Sequence, residues 1–122
     1  MAGTVLVVED EEALGSAVCK LLRKRGLSVL AAADGGAAAD LFEARHQDIQ
    51  AILLDMTIPS KSSREIAAEA RRIRPDVKII LATAYSQEMA ATSFAEVRLD
   101  GYLRKPYRID DLMKMLSDLM AG

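Results

Sequence analysis

The chain has 122 residues, of which 16 are basic and 18 acidic, leaving a formal net charge of −2. At roughly 150 residues per domain this is about one domain. The 51% hydrophobic content excludes a disordered tail, a collagen-like repeat and a disulfide scaffold, and the near balance of charge argues against direct nucleic-acid binding.

Read from the N-terminus, the chain alternates short apolar runs with helical patterns. Val5-Leu6-Val7-Val8 is the first run and ends in acids. Leu14, Val18, Leu21 and Leu22 then form a helical stripe that Gly26 closes. Val29–Ala32 is the second run. Gly35-Gly36 breaks the chain before a short helix over 36–45, with Leu41 and Phe42 inward. Ala51–Leu54 is the third run. Ser62-x-x-Glu65 is a capping-box pattern opening a helix with Ile66, Ala70 and Ile73 inward, and Pro75 stops it. Ile79–Ala82 is the fourth run, followed by a weaker stripe of Met89, Ser93, Phe94 and Val97. Tyr102-Leu103 is a short fifth run. Ile109, Leu112, Met113 and Leu116 pattern the last helix.

Apolar runs without polar alternation are strands buried on both faces, as in a parallel sheet. Five strand–helix units predict a doubly wound α/β sheet, (βα)5, as one domain over residues 1–122. In open sheets of this kind, ligands bind beyond the carboxyl ends of the strands, where strand order reverses. Those ends carry Glu9-Asp10-Glu11-Glu12, Asp55, Thr83-Ala84 and Lys105-Pro106. If the strand order is 2-1-3-4-5, Glu9, Asp10 and Asp55 converge in one shallow pocket. Three close carboxylates repel each other and call for a cation; Mg2+ fits, because it accepts a few carboxylates and keeps waters. Lys105 supplies a mobile positive charge for Asp55 or a bound anion, and Thr83 offers a hydroxyl.

Acids after a strand also commonly solvate a loop or sit at the positive end of the next helix, and Glu11 and Glu12 are read that way. For Glu9 and Asp10 both readings stand. Asp55 directly follows Ile52-Leu53-Leu54, where chance rarely places a charge. An acid pair, an acid, a hydroxyl and a lysine at four strand ends form a more specific pattern than any one of them.

With these residues the chain resembles the receiver domain of response regulators in two-component phosphorelays. The matching segments are Val5–Glu11, Leu53–Pro59, Leu81–Ala84 and Gly101–Tyr107. The resemblance spans essentially the whole chain and implies the flavodoxin-like 2-1-3-4-5 fold. It implies that Asp55 is the phosphoacceptor, taking a phosphoryl group from a phosphohistidine. Asp10 and Asp55 would bind Mg2+ directly, with the Thr57 carbonyl as a further ligand and Glu9 acting through water. Lys105 and Thr83 would hold phosphoryl oxygens, Pro106 would follow a cis peptide bond, and Tyr102 would turn inward as Thr83 moves. The implied partners are a sensor histidine kinase or a histidine phosphotransfer protein, and an output partner on the face of helix four, strand five and helix five. Such a protein catalyses only its own phosphorylation and dephosphorylation. It would be stand-alone or the receiver of a hybrid sensor kinase.

The sequence also departs from the family pattern. Ser63 stands where a Gly is common, which predicts a different path for the loop after Asp55. Glu9 replaces the more usual Asp, and Arg108 occupies the last helix's N-cap, with Asp110 and Asp111 compensating through the dipole. Thr57 and Tyr85 occupy positions that tune phosphoryl lifetime.

Other readings fit these residues less well. A pseudo-receiver that only docks would not need Asp55, Thr83 and Lys105 together. A flavin carrier would not place acids where the flavin phosphate binds. The single His46 reads as a loop residue, and Arg23-Lys24-Arg25 and Arg71-Arg72 as solvated helix faces. The lone Cys19 cannot form an internal disulfide and reads as a helix-flank residue, pointing to a reducing compartment. No run approaches the ~20 apolar residues of a membrane span and no secretory signal is visible at Met1–Thr4, so the expected location is the cytoplasm.

Overall fold

A computed structural model describes residues 3–121. The elements run β1 (Thr4–Val8), α1 (Glu12–Lys24), β2 (Ser28–Ala32), α2 (Gly35–Arg45), β3 (Ile49–Asp55), α3 (Ser63–Ile73), β4 (Lys78–Thr83), α4 (Gln87–Ser93), β5 (Gly101–Arg104) and α5 (Ile109–Met120). The strands form one sheet in the order β2-β1-β3-β4-β5, and each neighbouring pair is parallel. The alternation expected from the sequence is therefore present, and with it the doubly wound fold.

The strands are continuously apolar because both faces are covered. Side chains alternate across a strand. Leu6, Val8, Ile52, Leu54, Ile79 and Leu81 pack with Ala38, Phe42, Ile66, Ala67, Ala70, Ala90 and Phe94 of the α2–α3–α4 layer. Val5, Val7, Ala51, Leu53, Ile80, Ala82 and Leu103 face the opposite way, onto Val18, Cys19 and Leu22 of α1 and Leu112 and Leu116 of α5. A one-residue slip of any central strand would exchange these two sets, so the register is strongly specified.

Helix ends follow local chemistry. Gly26, at φ 93°, closes α1; its N–H donates to the Arg23 carbonyl while Leu27 N–H donates to Leu22, a Schellman arrangement. Ser62 and Glu65 form the expected capping box at the start of α3. Gly35 and Gly36 lie inside the first turn of α2 and not before it; the N-cap is Asp34, whose carboxylate accepts from Ala37 N–H at 2.8 Å. Gly35 is required by a close approach: a Cβ there would stand 1.9 Å from the Lys61 carbonyl oxygen. Its N–H donates to the Pro59 carbonyl, so the loop after β3 rests on the start of α2.

Three expectations change. Leu21 and Met89 point outward, and Met89 is 55% exposed, because the inward positions of their helices are taken by Cys19 and Leu22 and by Ala90. Cys19 is accordingly a core residue, and burial raises its thiol pKa above the ordinary value. Arg71 is not a solvated residue. It donates to the Pro75, Val77 and Arg98 carbonyls and pairs with Asp100 at 2.9 Å. Asp100 in turn accepts from Ile79 N–H at 2.8 Å. These bonds tie the end of α3 to the start of β4 and the approach to β5. Burial opposes ionisation of Asp100, but the Arg71 bond and the Ile79 N–H outweigh it and lower its pKa.

Candidate functional site

The carboxyl ends of β1, β3, β4 and β5 bring the sequence's candidate residues to one edge of the sheet. Asp55 is the last residue of β3 and lies in register with Ala82. Met56 N–H extends that ladder to the Ala82 carbonyl at 3.0 Å. Glu9 follows β1, with its N–H on the Ala32 carbonyl at 3.1 Å. Lys105 follows β5 and is set by its own N–H on the Thr83 carbonyl at 2.8 Å. Backbone bonds thus fix the origin of each side chain.

The side chains converge. One carboxylate oxygen from each of Glu9, Asp10 and Asp55 lies within 4.8 Å of the others. The Lys105 ammonium donates to Glu9 at 2.8 Å and lies 3.2 Å from Asp55. Glu9 and Asp55 side chains are under one tenth exposed and Lys105 about one fifth, whereas Asp10 is open to solvent. The second Glu9 oxygen accepts from Glu11 N–H at 3.1 Å.

Electrostatics follows from this crowding. Burial first, then the neighbouring Glu9 charge, lifts the Asp55 pKa from 3.8 to about 6 against the pull of Lys105. Burial works against the charge of Lys105, but the hydrogen bond to Glu9 and the Asp55 carboxylate outweigh it and raise its pKa. Tyr107, two residues on, is pushed up to about 12 by burial and by Glu9. One lysine among three acids leaves the cluster short of positive charge. Hard oxygen donors, one of them exposed, suit Mg2+, which binds through a few carboxylates and retains several waters.

The remaining candidates surround this cluster. Thr83 is buried, and its hydroxyl oxygen accepts from Tyr85 N–H at 3.1 Å; among the described residues no hydrogen bond joins it to Asp55. Thr57 is exposed in the loop after β3. Tyr102 packs against the α2–α3–α4 side of the core and donates its hydroxyl to the Tyr85 carbonyl. The Lys105–Pro106 peptide bond is cis. Ser63 is the first residue of α3, buried, and its hydroxyl donates to the Met56 carbonyl at 2.6 Å. The left-handed residue of that loop is Ser60, at φ 72°. The loop therefore makes its turn three residues before Ser63, which anchors it from the helix.

Two residues near the site were not singled out by the sequence. Tyr107 lies close enough to feel the Glu9 and Asp55 charges, and its only signal was its place after Pro106. Arg104 donates to the Ala84 carbonyl at 2.7 Å; a charged residue at the end of an edge strand carries no pattern of its own.

The response regulator receiver domain model matches residues 5–117, and the chain belongs to that family, the receivers of two-component systems. The sensory transduction protein RegX3 of Mycobacterium tuberculosis is 36% identical over 117 residues, which is 96% of this chain and 50% of that protein. The sensor kinase CckA of Brucella abortus is 27% identical over 98% of this chain and 13% of its own length. The chain thus spans half the length of RegX3 and a small part of CckA. Among solved structures, a receiver domain from Clostridium thermocellum superposes with a TM-score of 0.88 at 25% identity, covering 98% of this chain and 94% of that one. The response regulator TrrA of Thermotoga maritima, in complex with Mg2+ and BeF, matches at 0.82 and 30% identity over 96% and 98% of the two chains.

Proposed function

We propose that this chain, as a single receiver unit, accepts a phosphoryl group on Asp55 from a phosphohistidine of a sensor histidine kinase or histidine phosphotransfer protein. The observation that carries this reading is the juxtaposition of Asp55 with Glu9, Asp10 and the Lys105 ammonium at the sheet edge. The likeness to TrrA, whose structure contains Mg2+ and BeF, supports it.

A carboxylate oxygen of Asp55 forms the new bond to phosphorus as the phosphorus–nitrogen bond of the donor breaks. The electron pair leaves with the imidazole nitrogen, which takes a proton from solvent. Asp55 must be ionised to attack, and a pKa of about 6 leaves it so at neutral pH. Asp10, Asp55 and the Thr57 carbonyl would hold Mg2+ directly and Glu9 through water. Bound Mg2+ neutralises charge on the carboxylates and phosphoryl oxygens. Lys105 moves from its shared position between Glu9 and Asp55 onto a phosphoryl oxygen, and Thr83 donates its hydroxyl to another. The added charge of roughly −1.5 to −2 redistributes the contacts of an already acidic pocket. Movement of Thr83 toward it lets Tyr102 reposition, altering the α4–β5–α5 face that meets the output partner. The reaction is confined to the chain's own aspartate.

Incubation with Mg2+ and a small acyl phosphate should add one phosphoryl group by intact mass. Asp55→Ala should abolish the label, and Lys105→Ala should slow it while Mg2+ binding persists. Equal labelling of Asp55→Ala and wild type would remove Asp55 as acceptor.

A further inference from the structure

The segment between β4 and α4 is only three residues, Ala84 to Ser86, and it is held almost entirely by side chains. Thr83 accepts from Tyr85 N–H at 3.1 Å. Tyr102 donates to the Tyr85 carbonyl, and Arg104 Nε donates to the Ala84 carbonyl at 2.7 Å. Ser86 accepts from Met89 N–H at 3.3 Å as the N-cap of α4. Tyr102 and Arg104 are two apart on β5 and so project from the same face, and Arg104 stands in register with Thr83. Successive carbonyls of the loop are thus gripped by alternate residues of the neighbouring strand.

We propose that Arg104 is a positioning residue that latches this loop in the arrangement in which Thr83 is bonded to Tyr85 N–H and not to Asp55. The inference rests on the phosphoacceptor reading and adds a residue to its control. To donate its hydroxyl to a phosphoryl group on Asp55, Thr83 shifts toward the site, and the bond it accepts from Tyr85 N–H couples the loop to that shift. Ala84 follows Thr83 in the chain and moves with it, which draws its carbonyl off the Arg104 Nε. The Arg104 contact therefore belongs to the resting arrangement, and a contact made in one state alone sets the balance between the two. Removing an exposed hydrogen bond of this kind shifts such a balance about two- to tenfold.

The test separates the hydrogen bond from the charge. Arg104→Gln places an amide N–H at the position along the side chain that Nε occupies, whereas Arg104→Met places a methyl group there. Both remove the positive charge. Amide exchange over residues 84–90 in the unphosphorylated protein reads the latch, and the rate of Asp55 labelling by a small acyl phosphate with Mg2+ reads its coupling to the site. Arg104→Met should raise both by about two- to tenfold, and Arg104→Gln should return both close to wild type. The proposal is overturned if Arg104→Met leaves exchange unchanged, if exchange rises without faster labelling, or if Gln and Met behave alike. Absence of label on the wild-type protein would instead overturn the phosphoacceptor reading beneath it.

Discussion

The ionised Asp55 carboxylate should destabilise the protein when no metal is bound, and Asp55→Asn tests this. Burial and Glu9 lift Asp55 from 3.8 to about 6. Each pKa unit corresponds to about 1.4 kcal/mol, so the ionised carboxylate costs the folded state about 3 kcal/mol. The sign follows from proton counting. Between pH 3.8 and about 6 the folded chain holds a proton that the unfolded chain has released, so stability falls as pH rises through this window. The cost is complete above pH 6 and absent below about 4. Asparagine removes the charge at nearly constant shape. It also reduces the 3.2 Å ion pair with Lys105 to a neutral contact, but that ammonium keeps Glu9 at 2.8 Å. The net gain should be about 1–3 kcal/mol, or roughly 3–10 °C in Tm for a domain of this size. Thermal melts by circular dichroism in EDTA at pH 7.5 should show the variant above wild type, with the gap closing toward pH 4.5. Added Mg2+ should raise wild type far more than the variant. An Asp55→Asn protein that melts at or below wild type in EDTA, or a gap independent of pH, would refute the electrostatic account of the site.

Two predictions concern the frame around the site. Arg71→Met should destabilise the fold by about 1–3 kcal/mol in urea titrations, because it leaves the nearly buried Asp100 carboxylate only the exposed Arg98 and the Ile79 N–H and frees three carbonyls; Arg71→Met with Asp100→Asn should recover part of that loss. Gly35→Ala should lose about 1–3 kcal/mol, since its Cβ would meet the Lys61 carbonyl, and proteolysis should shift to the loop after β3; Gly36→Ala, which meets only side-chain oxygens at 3.2 and 3.3 Å, should cost less.

The fold was legible because its strands are buried on both sides. Val5–Val8, Ala51–Leu54 and Ile79–Ala82 carry no polar alternation, which only a sheet covered by two helical layers explains. The candidate site was legible because four strand ends carry an acid pair, an acid, a hydroxyl and a lysine in order, a combination that loop solvation alone does not explain. What the sequence hid are interactions whose meaning depends on distant partners. Arg71 looks like any helix-surface arginine until the path into β5 brings Asp100 under it. Arg104 resembles an edge-strand charge until the β4–α4 loop turns a carbonyl toward it. Ser63 pointed to the loop after Asp55, but not that the left-handed turn would fall on Ser60 or that the hydroxyl would anchor Met56.

These hidden contacts occupy the two ends of the sheet in different ways. At the amino ends of β4 and β5, Arg71 and Asp100 are largely shielded from water and share bonds with four backbone groups: three carbonyls for Arg71 and one N–H for Asp100. At the carboxyl ends, the loop after β4 is held by single contacts, and the Arg104 bond is exposed. Exposed hydrogen bonds exchange with water at little net cost, whereas a shielded ion pair does not open without leaving an unpaired charge. A change of charge at Asp55, as proposed for phosphorylation, would therefore meet a firm base and a yielding upper edge. On the proposed mechanism, the displacement would run through the β4–α4 loop and Tyr102 of β5 toward the α4–β5–α5 face, while the two cores and the strand register stay in place.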